Sequence, residues 1–476
     1  MTRSGEGPVQ ELERLFHPRS VAVVGVTDRV TNQGLSFLKA NRAMGFKGPL
    51  YAIHPDKRIP GFETYPSLLA VPGPVDYVII AIPAAKVGPT LEECVHKGAH
   101  CVTVFSSGFR ESLGREGEDR EERLREILAR GRTRLLGPNC MGLYCPEAGL
   151  SIRPEVPGAS SGNIGLICQS GGITISLILA ASSKGLGISK AVSYGNELDL
   201  GAPAFLHYLA RDPKTEVIGL YLEGARRPGD LRASLADAAS RKPVILLKGG
   251  ATGPGALAAS SHTGALAGAA QVWKALAAQA GAIMVQDLDE LLDLAGLYSL
   301  SQPPAGQRLG ILTISGGLGV VAADLAATAG FDLPPFHPST QRALAKIMKA
   351  PGTSVQNPVD MAAQFYQPHL HREIFTAVDA DPGIDALILV GAMEYLGAIG
   401  SHAGQNAHLL ANAAIAAMKH LTKPVYVVLL HTAYDDRRAE LETAFARAGF
   451  PVFPALPRCL RALKRSLIAS QRDKPR

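Results

Sequence analysis

The sequence predicts an α/β chain built from parallel, doubly wound sheets. Three observations carry that expectation. Short apolar runs rich in Val, Ile and Leu alternate along the chain with segments of helical character. That pattern marks strands buried on both faces and joined by crossover helices. Most of those runs end in glycine, serine or another small polar residue, which would gather at the carboxyl edge of the sheets, where open α/β sheets bind ligands. One pattern, an apolar strand followed by Ser-Gly-Gly and a helix, occurs at both Ser170-Gly171-Gly172 and Ser315-Gly316-Gly317.

Composition bounds the function. A chain of 476 residues with 46% hydrophobic and 19% charged residues is globular and long enough for two to four domains. The net charge of +6 is scattered rather than gathered in a basic tract, and aromatics are 6% with Trp273 the single tryptophan, which argues against nucleic acid as a partner. Met1 to Glu13 is polar and charged, unlike a secretory signal, and no apolar run has membrane-spanning length. The expected compartment is cytoplasmic, with no membrane partner. Cysteines 94, 101, 140, 145, 168 and 459 form no CxxC pairs. They read as small core residues rather than disulfide or zinc ligands, and no metal site is expected on this chain.

Taken in order, residues 1 to 15 read as a short leader. A strand over 20–24 ends at Gly25 and is followed by Thr27-Asp28-Arg29 and a helical segment from about Gly34 to Met44. The next strand, Pro49 to Ile53, ends at His54-Pro55-Asp56-Lys57. The third, Val75 to Ile82, ends at Pro83, and the fourth, His100 to Phe105, at Ser106-Ser107-Gly108. A dinucleotide fingerprint needs GxGxxG. Here Thr27 replaces the second glycine, and Lys57 stands near the usual acidic position, which weakens the case for a nicotinamide cofactor. A lysine there suits a more heavily phosphorylated ligand such as coenzyme A, while a solvated turn lysine is the simpler reading. Gly114 to Arg134 reads as a charged, solvent-facing helix. Leu135 to Gly142 then gives a strand and a tight Gly-Pro corner, in which Asn139 either caps the turn or faces the crevice.

A second domain opens near residue 147, and its linker runs to Gly162. The strand Asn163–Cys168 leads into Gln169-Ser170-Gly171-Gly172 and an apolar helix, whose exposed N–H groups and dipole favour an anion. A plain serine N-cap is the simpler alternative. The strand Val217–Leu222 ends at Glu223, which stands beside the next ligand loop or pairs with Arg226 or Arg227. After the strand Pro243–Leu247 comes a Gly/Ala-rich run and then Ser260-Ser261-His262-Thr263-Gly264. This puts His262 on a strand-to-helix loop among small neighbours. A carboxylate on one imidazole nitrogen would fix its tautomer and leave the other nitrogen as nucleophile. The third domain begins with Leu309–Ile314 and Ser315-Gly316-Gly317, continues through Asn357-Pro358-Val359-Asp360, and ends in a basic amphipathic helix from Arg458 to Arg472.

These motifs together resemble the NDP-forming acyl-CoA synthetases, in particular the α subunit of the ADP-forming acetyl-CoA synthetases, and more distantly the α subunit of succinyl-CoA synthetase. The resemblance rests on Gly137-Pro138-Asn139-Cys140, Gln169-Ser170-Gly171, Gly195 to Asp199, Leu220 to Gly224, Ser261-His262-Thr263-Gly264 with Leu266-Ala267-Gly268, and Asn357 to Asp360, in the family's order. It covers almost the whole chain. It implies a CoA-binding Rossmann-like domain (1–146), a flavodoxin-like ligase domain with the phosphohistidine loop (147–304) and a second flavodoxin-like domain (305–476). It implies that His262 carries the phosphoryl group and Glu223 steadies it. Ser170, Gly171, Gly172, Ser315, Gly316 and Gly317 would cradle the phosphate, and Asn139 would face the acyl phosphate. Gly25, Thr27, Asp28, Lys57, Pro83, Ser106, Ser107 and Gly108 would contact coenzyme A. The implied reaction interconverts acyl-CoA, ADP and phosphate with a small carboxylic acid, CoA and ATP. An ATP-grasp β subunit would supply the site for the nucleotide and its Mg2+, in an α2β2 hetero-oligomer. Two positions depart from the family pattern, Ile314 where an asparagine is usual and His54 before Pro55. With no ATP-grasp segment present, a second reading stays open: a non-catalytic regulatory protein that binds CoA or acyl-CoA.

Overall fold

The structure is a computed structural model that describes residues 7–112, 114–156, 161–263, 270–391, 403–430 and 438–472, with the side chains of 259–263, 363, 403–406 and 472 outside that description. Three sheets organise it. The first contains β1 (Val21–Val24), β2 (Leu50–Ile53), β3 (Glu63–Tyr65), β4 (Tyr77–Ile80), β5 (Cys101–Val104) and β6 (Arg134–Leu136), in the order β3-β2-β1-β4-β5-β6. All its neighbours run parallel, with Val21 to Val24 registered on Leu50 to Ile53 on one side and on Tyr77 to Ile80 on the other. The strand order reverses at β1, so a crevice opens between the carboxyl ends of β1 and β4.

The second sheet contains β7 (Gly142–Tyr144), β8 (Ile164–Cys168), β9 (Ile188–Ser193), β10 (Val217–Leu222), β11 (Val244–Lys248) and β12 (Ile283–Val285), ordered β12-β11-β10-β8-β9-β7. The third contains β13 (Leu309–Thr313), β14 (Val359–Asp360), β15 (Ala386–Gly391), β16 (Val425–Leu429) and β17 (Val452–Phe453), ordered β14-β13-β15-β16-β17. Leaving β7 aside, each places its first strand between its second and third, which is the flavodoxin-like order. The repeat seen in sequence is therefore a repeat of topology. Both Ser-Gly-Gly turns follow the first strand of their sheet, at its switch point.

The first two sheets lie in one compact unit, residues 7–182 and 187–291, and the third lies in a second unit, Ser183–Leu186 and Leu292–Arg476. In the first unit a core forms around Ala22, Val78, Val102 and Leu135 of the first sheet. In the second unit a core gathers around Leu312, Leu387, Leu389 and Val427 with Phe336, Phe365 and Phe375.

Several elements differ from the sequence reading. Of residues 1 to 15, read as a short leader, those from Pro8 on belong to a helix, Pro8–Phe16, with Leu12, Leu15 and Phe16 buried. Phe16 stacks on Tyr208 at 5.3 Å, and the Tyr208 hydroxyl donates to Glu13 at 2.5 Å, so the helix is docked through both apolar contact and a hydrogen bond. Burying a phenylalanine of this kind contributes about 1.5–3 kcal/mol. The second sheet also reaches upstream of residue 147. Gly142–Tyr144 pairs antiparallel with Ala191–Ser193, closing that sheet's edge. The charged helix is shorter than expected, Arg115–Leu128. The stretch read as a loop around His262 is helical over Gly253–Thr263. Thr252 explains this, because its Oγ1 accepts the Gly255 N–H at 3.2 Å as an N-cap and Ala256 to Ala259 then propagate the helix.

Candidate active site

The site is built at the carboxyl edges of the first unit's two sheets. After β1 the chain turns at Gly25, whose φ is +90° and where a Cβ would lie 2.4 Å from the Ala81 carbonyl oxygen. Only glycine fits there. Asn32 then closes the turn. Its Oδ1 accepts from Thr27 N at 3.0 Å and Leu35 N at 2.8 Å, and its Nδ2 donates to Gly25 O at 3.1 Å. Two backbone amides of this turn, those of Thr27 and Leu35, are thus taken by a side chain. Asp28 and Lys57 stand at the ends of β1 and β2 and pair with each other at 3.0 Å, both well exposed. The Lys57 hydrogen bond is the main cause holding the Asp28 carboxyl below its ordinary range.

Between the two sheets opens a cavity of about 630 Å³. From the first sheet it is lined by Pro83, Ser106 and Ser107; from the Gly-Pro corner by Asn139, Cys140 and Met141; and from the second sheet by Gln169, Ser170, Gly171, Gly172, Gly195 and Asn196. The structure therefore brings together three of the residues expected to contact CoA (Pro83, Ser106 and Ser107), the expected acyl-phosphate asparagine and the first expected phosphate cradle. None of the lining residues carries a charged side chain. An anion here would be held by amides, hydroxyls and the N-terminus of the helix Gly171–Ser183. Asn139 adopts φ +60° after a cis Gly137–Pro138 bond, and its backbone N–H donates to Ser106 O at 3.0 Å. Ser106 in turn donates through Oγ to Ile82 O.

Gly25, Thr27, Asp28, Lys57 and Gly108 do not line this cavity. Gly108 is held by Glu111, whose Oε1 accepts from Gly108 N at 2.7 Å and from Phe109 N at 3.2 Å. The other Glu111 oxygen accepts from Asn196 Nδ2 at 2.5 Å. Asn196 also donates to Glu121, which is buried and receives Arg226 at 3.0 Å. One carboxylate thereby ties the Ser106–Phe109 loop of the first sheet to the Gly195–Asp199 loop of the second. Sequence reasoning missed Glu111 and Asn32 and gave Gln169 no role beyond its place in a motif; the Asn at the helix start was the one signal that could have given Asn32.

Glu223 sits just past β10 and is buried. Its Oε1 accepts from the Tyr221 hydroxyl at 3.2 Å, and its backbone oxygen accepts from Lys248 Nζ at 2.8 Å. Burial, together with the neighbouring carboxylate, pushes the Tyr221 phenol up. Burial lowers the Lys248 ammonium, opposed by Glu223, while Trp273 lies 5.2 Å from its Nζ. Glu223 is not the partner of Arg226 or Arg227: Arg226 goes to Glu121, and Arg227 donates to the Asp199 carbonyl. His262 occupies the last turn of the helix Gly253–Thr263, which follows β11, while its side chain lies outside the described residues.

The second cradle belongs to the other unit. Ser315 precedes the helix Gly316–Thr328, and its N–H donates to Thr313 Oγ1 at 3.2 Å. Ile314, where a polar residue was expected, packs against the hydrophobic core. Asp360 stands alongside: a Cβ placed on Gly316 would lie 2.8 Å from its Oδ2, while its Oδ1 accepts from Ala362 N at 2.9 Å. Asn357, behind a cis Asn357–Pro358 bond, staples the sheet by accepting from Ile311 N and donating to Leu309 O and Pro334 O. Among the described residues no helix is long and apolar enough to cross a membrane.

Residues 19–146 match the CoA binding domain family, and residues 161–298 match the succinyl-CoA ligase like flavodoxin domain family. The chain is 31% identical to the α subunit of an ADP-forming acetate–CoA ligase II from Pyrococcus furiosus, over 93% of this chain and 94% of that one. It is 36% identical to the ADP-forming acetate–CoA ligase I of Archaeoglobus fulgidus over 83% of this chain, and spans 58% of that relative's length. It spans 57% of the length of the second such ligase of that organism. Among solved structures it is similar to acetyl-coenzyme A synthetase 1 of Candidatus Korarchaeum cryptofilum in complex with phosphate and ADP, with a TM-score of 0.82, 30% identity and 97% of each chain covered.

Proposed function

Since the chain belongs to the family of ADP-forming acyl-CoA synthetases, we propose that it is their catalytic α subunit and carries the acyl-phosphate and phosphohistidine chemistry. The observation that supports this most is the single cavity shared by Pro83, Ser106, Ser107, Asn139 and the start of the helix Gly171–Ser183. Acyl-CoA enters with its thioester between the two sheets. A phosphate oxygen attacks the thioester carbonyl, the C–S bond breaks, and CoA leaves as thiolate. The acyl phosphate is held by Asn139 and by the backbone amides of Ser170 to Gly172, which face developing negative charge without needing to reorganise. A neutral His262 nitrogen then attacks phosphorus, the P–O bond to the acyl group breaks, and the carboxylate departs. Glu223 takes the proton-bearing side of the imidazole and stabilises its positive charge. The phosphoryl group passes to ADP on an ATP-grasp partner, which brings the nucleotide with its Mg2+, and every step is reversible. Positioning and electrostatics carry the transfer. The helical backbone at His262 implies that this segment must shift if the histidine visits separate acyl and nucleotide sites.

One observation favours a second reading, a regulatory chain that binds CoA without catalysis. Asp360 sets a carboxylate beside the second cradle, where a phosphate would be repelled. A single experiment separates the two. The chain is incubated with a panel of acyl-CoAs, phosphate and magnesium, and its intact mass is recorded under alkaline conditions. A gain of one phosphoryl group that disappears in His262→Ala supports the ligase. CoA binding with no gain, even with the partner subunit added, supports the regulatory chain.

A further inference from the structure

We propose that the side-chain amide of Gln169 is a direct donor to the anion bound at the start of the helix Gly171–Ser183, oriented by the backbone of Glu223 and Gly224. This rests on the reading of the cavity as an acyl-phosphate site, and names a further residue that touches the ligand there. Gln169 is 4% exposed and lines the cavity. Its Oε1 accepts from Glu223 N at 2.7 Å and from Gly224 N at 3.0 Å. Both partners are N–H donors, so only the carbonyl end of the amide satisfies them, and the flip is decided. The NH2 end has no partner among the described residues. That end is left to the cavity that Gln169 lines, where a ligand or water can accept from it.

Two N–H bonds are thus presented beside the amides of Ser170 to Gly172. Amide donors, helix dipole and an uncharged wall fit an anionic oxygen, as on inorganic phosphate or the phosphoryl end of an acyl phosphate. The same side chain also joins the cavity to the strand end that carries Glu223. At the matching position in the second unit stands Ile314, which offers no donor.

The test is calorimetric binding of inorganic phosphate to the full chain, wild type against Gln169→Glu and Gln169→Met, with thermal unfolding of each. Glutamate keeps an oxygen for both backbone N–H groups but replaces the donor with an anion. Gln169→Glu should unfold within about 2 °C of wild type, yet bind phosphate at least about tenfold more weakly at pH 7.5, since a hydrogen bond to a charged group is worth about 1.5–3 kcal/mol. The ratio of wild-type to variant affinity should shrink as pH falls towards 5, when the protonated acid regains a donor. Gln169→Met should lose both affinity and thermal stability. Equal phosphate affinity in wild type and Gln169→Glu, absence of phosphate binding by the wild type, or a Gln169→Glu defect explained by unfolding would each overturn the proposal. Phosphate binding by wild type that obeys these rules, with no phosphorylation of His262 from any acyl-CoA even with the partner subunit added, would instead defeat the ligase reading and leave this inference standing.

Discussion

The two glycine-rich helix starts share a backbone design and differ in everything around it. Both follow the first strand of a flavodoxin-like sheet, after β8 and after β13. The first opens on a large cavity with an oriented amide at Gln169 and no charged wall. The second has a hydrophobic Ile314 packed against the core and the Asp360 carboxylate beside its first glycine. A helix N-terminus favours an anion in both cases by only about 0.3–1 kcal/mol when exposed. What separates them is the side chain before the serine and the carboxylate across the turn. The comparison teaches that topology supplies the donor array, and a few flanking residues decide whether a ligand or the protein itself uses it.

Four substitutions or conditions break or sharpen that contrast. The largest effect belongs to Gly195→Ala. Gly195 has φ +56°, and a Cβ there would lie 2.3 Å from the Asn139 carbonyl oxygen and 2.4 Å from that of Pro138. Backbone must move, so calorimetry should give at least about a tenfold loss of CoA or phosphate affinity, and the melting temperature should fall by several degrees, a shift of about 1–2 kcal/mol. The matched change in the second unit, Gly316→Ala, meets only the movable Asp360 carboxylate and should alter either quantity less than about twofold. Equal damage at both positions would remove the asymmetry.

Next comes Glu111→Ala, which frees the Ser106–Phe109 loop from Asn196. Steady-state kinetics should show KM for acyl-CoA rising about five- to tenfold, the loss of a charge-assisted hydrogen bond, with kcat changed less. A uniform fall in kcat at constant KM would mean that Glu111 does not position the loop. Third, Asp360→Asn removes the competing charge at the second start while keeping an acceptor for Ala362 N. Anion binding or phosphoryl transfer should improve by about two- to fivefold, the size of a helix-terminus charge effect. No change would show that no anion visits that start.

The smallest effect is acid sensitivity of the second unit. His371 is buried, accepted by the Phe365 carbonyl at 2.7 Å and stacked between Phe365 and Phe375. Burial lowers its folded pKa, opposed by the bond to Phe365. The unfolded chain, with a histidine near pH 6.5, then binds a proton that the folded chain refuses. This contribution is fully present above about pH 6.5 and is lost as pH falls below it. Hydrogen exchange between pH 7.5 and 5 should reveal earlier opening around Pro368–Asp379 than around β8, and His371→Gln should reduce the difference. Uniform loss of protection in both units would contradict it.

Much of this was legible in the sequence. Central strands such as Ile164–Cys168 and Ala386–Gly391 are continuous apolar runs that any periodicity analysis finds. The Ser-Gly-Gly repeat announced two related sheets. Glu63–Tyr65 was not legible because it is a short, partly exposed edge strand, and Gly142–Tyr144, although buried, is only three residues long and gives no apolar run. The helix at His262 was hidden by glycines at its start, and its cap is the unremarked Thr252. The candidate residues Asn139, Ser170 and Ser106 were readable because small polar residues end their strands. Gln169 was readable only as part of a motif, since the direction of its amide is set by Glu223 N and Gly224 N, which lie far away in sequence. Glu111 likewise acts through Asn196, a partner no local pattern announces.

The most direct test of the asymmetry is a crystal structure of the full chain soaked with inorganic phosphate. The account predicts an anion against the amides of Ser170 to Gly172, with Gln169 Nε2 within about 2.7–3.2 Å of one of its oxygens. An anion found only at Ser315 to Gly317, with Gln169 turned away from the cavity, would contradict it.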